Sequence, residues 1–171
     1  MEEAVVCAEW VKNKETGFLM DRKSELLVLQ PGHEQSIRQA GQLSFPRECC
    51  GFILGEVRAG LRNVVLLIPT YNDREASAQS NRFAIDPMEF LKAERTAQRE
   101  KLMLLGFYHS HPNGSARPSA FDLEHAWPWY SYVIVSVRDG IAEQITSWTL
   151  NKDGSQFTQE YVEITDQGRS L

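Results

Sequence analysis

The sequence predicts a single α/β domain in which a predominantly antiparallel or mixed sheet is accompanied by about three helices. Short apolar runs bounded by turn residues recur along the chain, as in CCGFILG and NVVLLIP. Between them lie segments with helical apolar spacing and recognisable caps. A length of 171 residues suits one core of ordinary size.

Residues 1–23 mix charged and apolar positions without a period and are expected to precede the domain as an extension. The domain is expected over residues 24–165, followed by a tail at 166–171. Ser24–Gln30 is a candidate first strand, and Pro31-Gly32 reads as a turn. From His33 to Leu43 the apolar residues Ile37, Ala40 and Leu43 recur at three-residue steps, a modest helical stripe that Pro46 closes. Two buried strands follow, joined by a turn at Arg58–Gly60. Thr70–Ala84 is rich in Ser, Asn and Asp and is expected to form a long surface loop.

Asp86-Pro87 opens a helix: Asp caps, Pro takes the first helical position, and Glu89 follows at the capping-box spacing. Phe90, Leu91, Ala93 and Ala97 supply its apolar face, through about Lys101. Leu102–Tyr108 is a buried strand, and Ser119–Trp127 fits a short helix stopped by Pro128. YSYVIVSV, QITSWTL and FTQEYVEI are three further strands, the first two joined at Arg138-Asp139-Gly140.

Composition removes several function classes. The formal net charge is -5 and the basic residues are scattered, which argues against a nucleic-acid footprint. No apolar run approaches the ~20 residues of a membrane helix. The N-terminus MEEAVVCAEW lacks a basic region before an apolar stretch, so a cytoplasmic location is expected. Cys7, Cys49 and Cys50 form no CxxC pair, and their odd number points to reduced thiols.

The chemistry-bearing segment is His109-Ser110-His111-Pro112, continuing to Ser119 and Asp122. Histidines at i and i+2 on an extended chain project from one face, so their imidazoles can converge on one ion. Ser119 suits an N-cap, and Asp122 then lies near the positive end of the helix, which favours the ionised carboxylate a metal requires. Two His and one Asp leave a coordination position free, the pattern of a catalytic zinc site. Zinc lowers the pKa of water to ~7 and polarises carbonyls, so hydrolysis is implied. Glu48 is the leading proton acceptor: at a helix-to-strand junction ahead of apolar residues, its pKa can rise toward neutrality.

His109-Ser110-His111, seven residues, Ser119, two residues and Asp122 resemble the H-[ST]-H-x7-S-x2-D signature of the JAMM (MPN-plus) metalloproteases. Pro46-x-Glu48-x-Cys50-Gly51 is similar to that family's P-x-E-x-C-G segment. The resemblance spans roughly Leu26 to Leu150 with no departure at a signature position. It implies a cytidine-deaminase-like fold with a curved sheet flanked by helices. It also implies a peptidase or isopeptidase acting after the C-terminal glycines of ubiquitin-like proteins. By carry-over, His109, His111 and Asp122 bind one zinc ion, Glu48 activates water, and Ser119 donates to the oxyanion. AWPWYSYVIVSV leaves no room for the second insertion of chain-selective eukaryotic deubiquitinases, so the chain is most similar to small prokaryotic members serving sulfur carriers. Thr70–Ala84 looks like the counterpart of the first insertion of those eukaryotic deubiquitinases, which cradles the distal ubiquitin tail.

The competing readings are weaker. An amidohydrolase-type barrel needs ~250 residues, and the metallo-β-lactamase pattern wants Asp and His where Pro112-Asn113-Gly114 stands. A Cys50–His109 nucleophilic pair would leave Asp122 unexplained. His125, one turn beyond Asp122, reads as a surface histidine, and Ser119 can serve as a cap alone. The alternative function is a non-catalytic scaffold of the same fold, which binds ubiquitin-like or other partners without metal.

Overall fold

The computed structural model describes residues 26–70 and 86–166. Ten elements follow in order: β1 (Leu26–Leu29), α1 (Pro31–Ser44), β2 (Cys50–Arg58), β3 (Leu61–Thr70), α2 (Pro87–Glu100), β4 (Met103–Pro112), α3 (Ala120–His125), β5 (Ser131–Arg138), β6 (Ile141–Leu150) and β7 (Phe157–Ile164). The extension at 1–23 lies outside the described residues, as do most of the 166–171 tail and the Thr70–Ala84 loop beyond Thr70.

The strands close into a mixed barrel in the order β1-β3-β2-β4-β5-β6-β7. This corrects the expectation of a curved sheet flanked by helices. Closure depends on β1, whose Leu27 pairs in parallel with Arg62 of β3 on one side and Val162 of β7 on the other. β4 and β5 are also parallel, while the β2–β3, β2–β4, β5–β6 and β6–β7 pairs are antiparallel. Alternation along a strand reports which face is buried but not which edges meet, so an open sheet and a barrel share one pattern.

The barrel interior is filled by Leu27, Leu29, Ile53, Val64, Leu105, Tyr108, Val133 and Val135 together with Ile37 of α1. A second cluster on the outer face joins Phe52, Leu54, Leu104, Phe107 and Tyr132 to Ala93 and Ala97 of α2. The two longer helices therefore cover opposite faces of β2, β4 and β5. No helix among the described residues is long and apolar enough to cross a membrane.

Pro31 is the first residue of α1 instead of part of a turn, consistent with a fixed φ and no donor to lose. His33 sits at its start, with Nδ1 3.4 Å from the Gln30 amide. The stripe of α1 differs from the sequence reading: Ile37 and Gly41 are buried, whereas Leu43 is 79% exposed. At about 100° per residue, six positions beyond Ile37 point well away from it, while four positions return nearly to the same side. In α2, Asp86 accepts from the Met88 amide at 2.7 Å as expected of a cap. Glu89 closes no capping box and instead pairs with Lys92 at 2.5 Å.

Candidate metal centre

Strand β4 carries His109 and His111 past the end of the Tyr108 core into the site, and α3 brings Asp122 to meet them. His109 is fully buried and Asp122 is 7% exposed. The two Nε2 atoms lie 3.0 Å apart. Asp122 Oδ1 is 3.3 Å from His109 Nε2, and its Oδ2 is 3.5 Å from His111 Nε2. Zinc bonded to nitrogen or oxygen at about 2.0–2.1 Å has tetrahedral edges of roughly 3.3 Å. Each imidazole thus stands about one such edge from the other and from its own oxygen of the Asp122 carboxylate, and one donor atom from each of the three residues lies within 4.8 Å of the others, so the residues fit the metal.

Local hydrogen bonds set these donors. The Ser115 carbonyl lies 2.8 Å from His111 Nδ1. A carbonyl only accepts, so Nδ1 carries the proton and Nε2 presents its lone pair to the site. The loop between His111 and Ser119 is tied to β6, where Thr146 Oγ1 and Trp148 Nε1 both donate to the Ala116 carbonyl, at 2.5 and 3.2 Å. Ser119 caps α3: its Oγ accepts from the Asp122 amide at 3.1 Å. Its own N–H and hydroxyl both donate to Asp122 Oδ2, at 2.6 and 2.7 Å.

Electrostatics divide the carboxyls. Burial pushes Asp122 upward, but its interactions with the His109 and His111 imidazoles and the hydrogen bond from Ser119 outweigh it and hold the group well below the usual carboxylate range. Burial lowers His109 despite Asp122. At His111 burial acts downward too, but Asp122 and the Ser115 carbonyl prevail and raise it. Glu48 is only 5% exposed. Burial pushes it up to about 8, with His111 acting downward and Asp122 adding to the rise.

The structure therefore brings together His109, His111, Asp122 and Ser119, with Glu48 near enough to feel the charges of His111 and Asp122. His125 lies apart, bonded to the Phe121 carbonyl at 2.9 Å and stacked on the Phe121 ring. Burial raises the Cys49 and Cys50 thiols to about 11 and about 12, which leaves both protonated and unsuited to nucleophilic attack near neutral pH. The sequence reading missed the Ser115 and Ala116 carbonyls, because backbone acceptors carry no residue signature. It also missed Ser110, for which only its place between the histidines was a signal.

A metal-ready His/His/Asp face on a closed mixed barrel, beside a buried carboxyl, defines the class. The model of the prokaryotic homologs of the JAB domain matches residues 30–151, and the chain belongs to that family. A probable TtuB-protein conjugate cleaving protease of Thermus thermophilus is 40% identical over 83 residues, covering 48% of this chain and 54% of that protein. A desampylase of Haloferax volcanii is 36% identical over 92 residues, covering 53% and 63%. The matched region is thus only about half to three-fifths of the length of these curated relatives. A protein from Desulfitobacterium hafniense superposes with a TM-score of 0.72 at 27% identity, covering 82% of this chain and 94% of that one. One from Salinibacter ruber gives 0.65 at 39% identity, covering 84% and 94%.

Proposed function

We propose that this protein is a zinc-dependent peptidase or isopeptidase that cleaves after the C-terminal Gly-Gly of a ubiquitin-like protein. The observation that carries the reading is the approach of two imidazole Nε2 atoms and one carboxylate within 3.5 Å of each other beside a carboxyl held near pKa 8. His109, His111 and Asp122 would hold the ion, and zinc there supplies Lewis-acid polarisation and a more acidic water. Glu48 takes the proton from water as its oxygen joins the scissile carbonyl carbon. It returns that proton to the departing amine, so no net proton is consumed in the step. A carboxyl raised toward neutrality suits both transfers.

Both the backbone N–H and the hydroxyl of Ser119 donate to Asp122 Oδ2; the N–H bond keeps Asp122 oriented when the hydroxyl exchanges that carboxylate for the developing oxyanion. The name of the Thermus relative, a protease cleaving protein conjugates, supports an amide bond to a protein as substrate. A Gly-Gly terminus suits a buried centre, since glycine lets the backbone approach without a side-chain clash.

The test uses the full chain loaded with zinc and two substrates ending in Gly-Gly: a linear ubiquitin-like fusion and a lysine-linked conjugate. Cleavage of either at the glycine, abolished by chelator and by Glu48→Gln, is expected. Stoichiometric zinc without cleavage of either refutes the reading and leaves a binding scaffold.

A further inference from the structure

Ser110 stands between the two histidines and points the other way. Side chains alternate along a strand. With His109 and His111 facing the site, Ser110 faces the barrel interior, where it is fully buried. It lies under α1 at Gly41, where an added Cβ would come within 3.3 Å of the Ser110 Cβ.

The register that pairs Cys50 with His109 sets Cys49 opposite Ser110. A regular hydrogen-bonded antiparallel pair exchanges two backbone bonds. Here the Ser110 N–H donates to the Cys49 carbonyl at 3.1 Å, as in any ladder. The return bond departs from the rule: the Cys49 N–H donates to the Ser110 side-chain oxygen, at 2.9 Å. The departure falls where β2 has yet to join the sheet, since β2 begins at Cys50 and Glu48 precedes Cys49 directly. A hydroxyl thus stands in for a strand carbonyl and lets the chain bend away toward the metal face while its buried amide stays satisfied.

We propose that Ser110 is a positioning residue for Glu48. Its hydroxyl anchors the Cys49 amide and so holds the adjacent carboxyl within reach of the reacting water, without supporting the histidines' grip on the metal. The inference rests on the reading of Glu48 as the base. It assigns the residue between the histidines to the proton-transfer group, although its neighbours belong to the metal.

Four full-length variants test this: Ser110→Ala, Ser110→Thr, Glu48→Gln and the double Glu48→Gln/Ser110→Ala. Zinc content, kcat, KM and amide hydrogen exchange by NMR are measured for each. Ser110→Ala is expected to keep its zinc and its KM while kcat falls about 10- to 100-fold, the range for displaced supporting groups. Exchange should quicken at the Cys49 amide and stay unchanged at His109 and His111. Threonine retains the hydroxyl and should restore most of kcat. In the Glu48→Gln background the alanine should cost nothing further, because a group acting through Glu48 has nothing left to position. A full-rate Ser110→Ala beside a slow Glu48→Gln overturns this proposal alone, as does zinc loss in Ser110→Ala or unchanged Cys49 exchange. Equal activity of wild type and Glu48→Gln overturns the base assignment and this inference with it.

Discussion

Glu48→Gln should stabilise the metal-free protein at alkaline pH and leave it unchanged at acidic pH. The carboxyl has an ordinary value of 4.5 and is pushed to about 8 in the fold. Below the lower value both folded and unfolded chains hold the proton, and the group contributes no pH dependence. Between the two values only the unfolded chain releases it, so stability falls as pH rises, by about 1.4 kcal/mol for each pH unit. Above the folded value the slope ends. The full interval corresponds to roughly 5 kcal/mol. Water reaching the 5% exposed edge of the residue weakens the burial effect, so a swing of about 2 to 5 kcal/mol is expected. Glutamine has the same shape and no charge to desolvate, so it lacks the slope. Asp122 and the two histidines titrate in both proteins, so what they contribute independently of Glu48 cancels in the difference, leaving Glu48 and its coupling to His111 and Asp122. The assay is urea unfolding of metal-free wild type and variant from about pH 5 to about pH 8.5. The variant's advantage should grow steadily with pH. Zinc favours the ionised carboxylate and should shrink that advantage. Parallel stability curves across the range would refute the reasoning, because they would mean that Glu48 is already ionised in the folded protein.

His109→Ala and His111→Ala should each lose stoichiometric zinc and hydrolysis together, since two donors hold the ion poorly against a chelator; full activity with bound zinc in either would sink the ligand set. Ser119→Ala removes the α3 cap and one of two bonds to Asp122 Oδ2. It should cost about 1 kcal/mol of stability and weaken zinc binding about 10- to 100-fold, read by denaturant melts and competitive titration; unchanged affinity would leave the Ser119 hydroxyl no part in holding Asp122 for the metal. Inside the barrel, Arg62 Nε lies 3.7 Å from Glu160 Oε1, its Nη1 donates to Ser131 at 2.9 Å, and Ser147 donates to Glu160 at 2.6 Å. Glu160→Gln strands the buried guanidinium, and calorimetry should find a loss of about 3–5 kcal/mol; a neutral outcome would show the guanidinium reaching water.

The convergence of the candidate ligands was legible in the sequence because it obeys local rules. His109 and His111 share a face by the two-residue period of a strand, and Asp122 is placed by a helix cap at Ser119, three residues upstream. The reason for Gly51 is tertiary instead: it pairs with Tyr108 of β4, and an added Cβ would collide with the Tyr108 ring. Glu48 was legible only through its motif, for nothing in its neighbours' composition singles out one carboxylate. Its raised pKa is tertiary in origin, arising from burial and the nearby Asp122.

The tertiary structure also decided closure. Leu26–Leu29 reads as one more short apolar strand, yet it pairs with β3 on one edge and β7 on the other, more than a hundred residues downstream, and turns a sheet into a barrel. Side-chain alternation encodes faces, whereas backbone amides and carbonyls encode edges, and every residue but proline carries the same pair. The anchoring bonds from Ser110 to Cys49 and from Ser115 to His111 escaped the sequence for that reason. They use generic backbone groups whose partners are set only when the chain is folded.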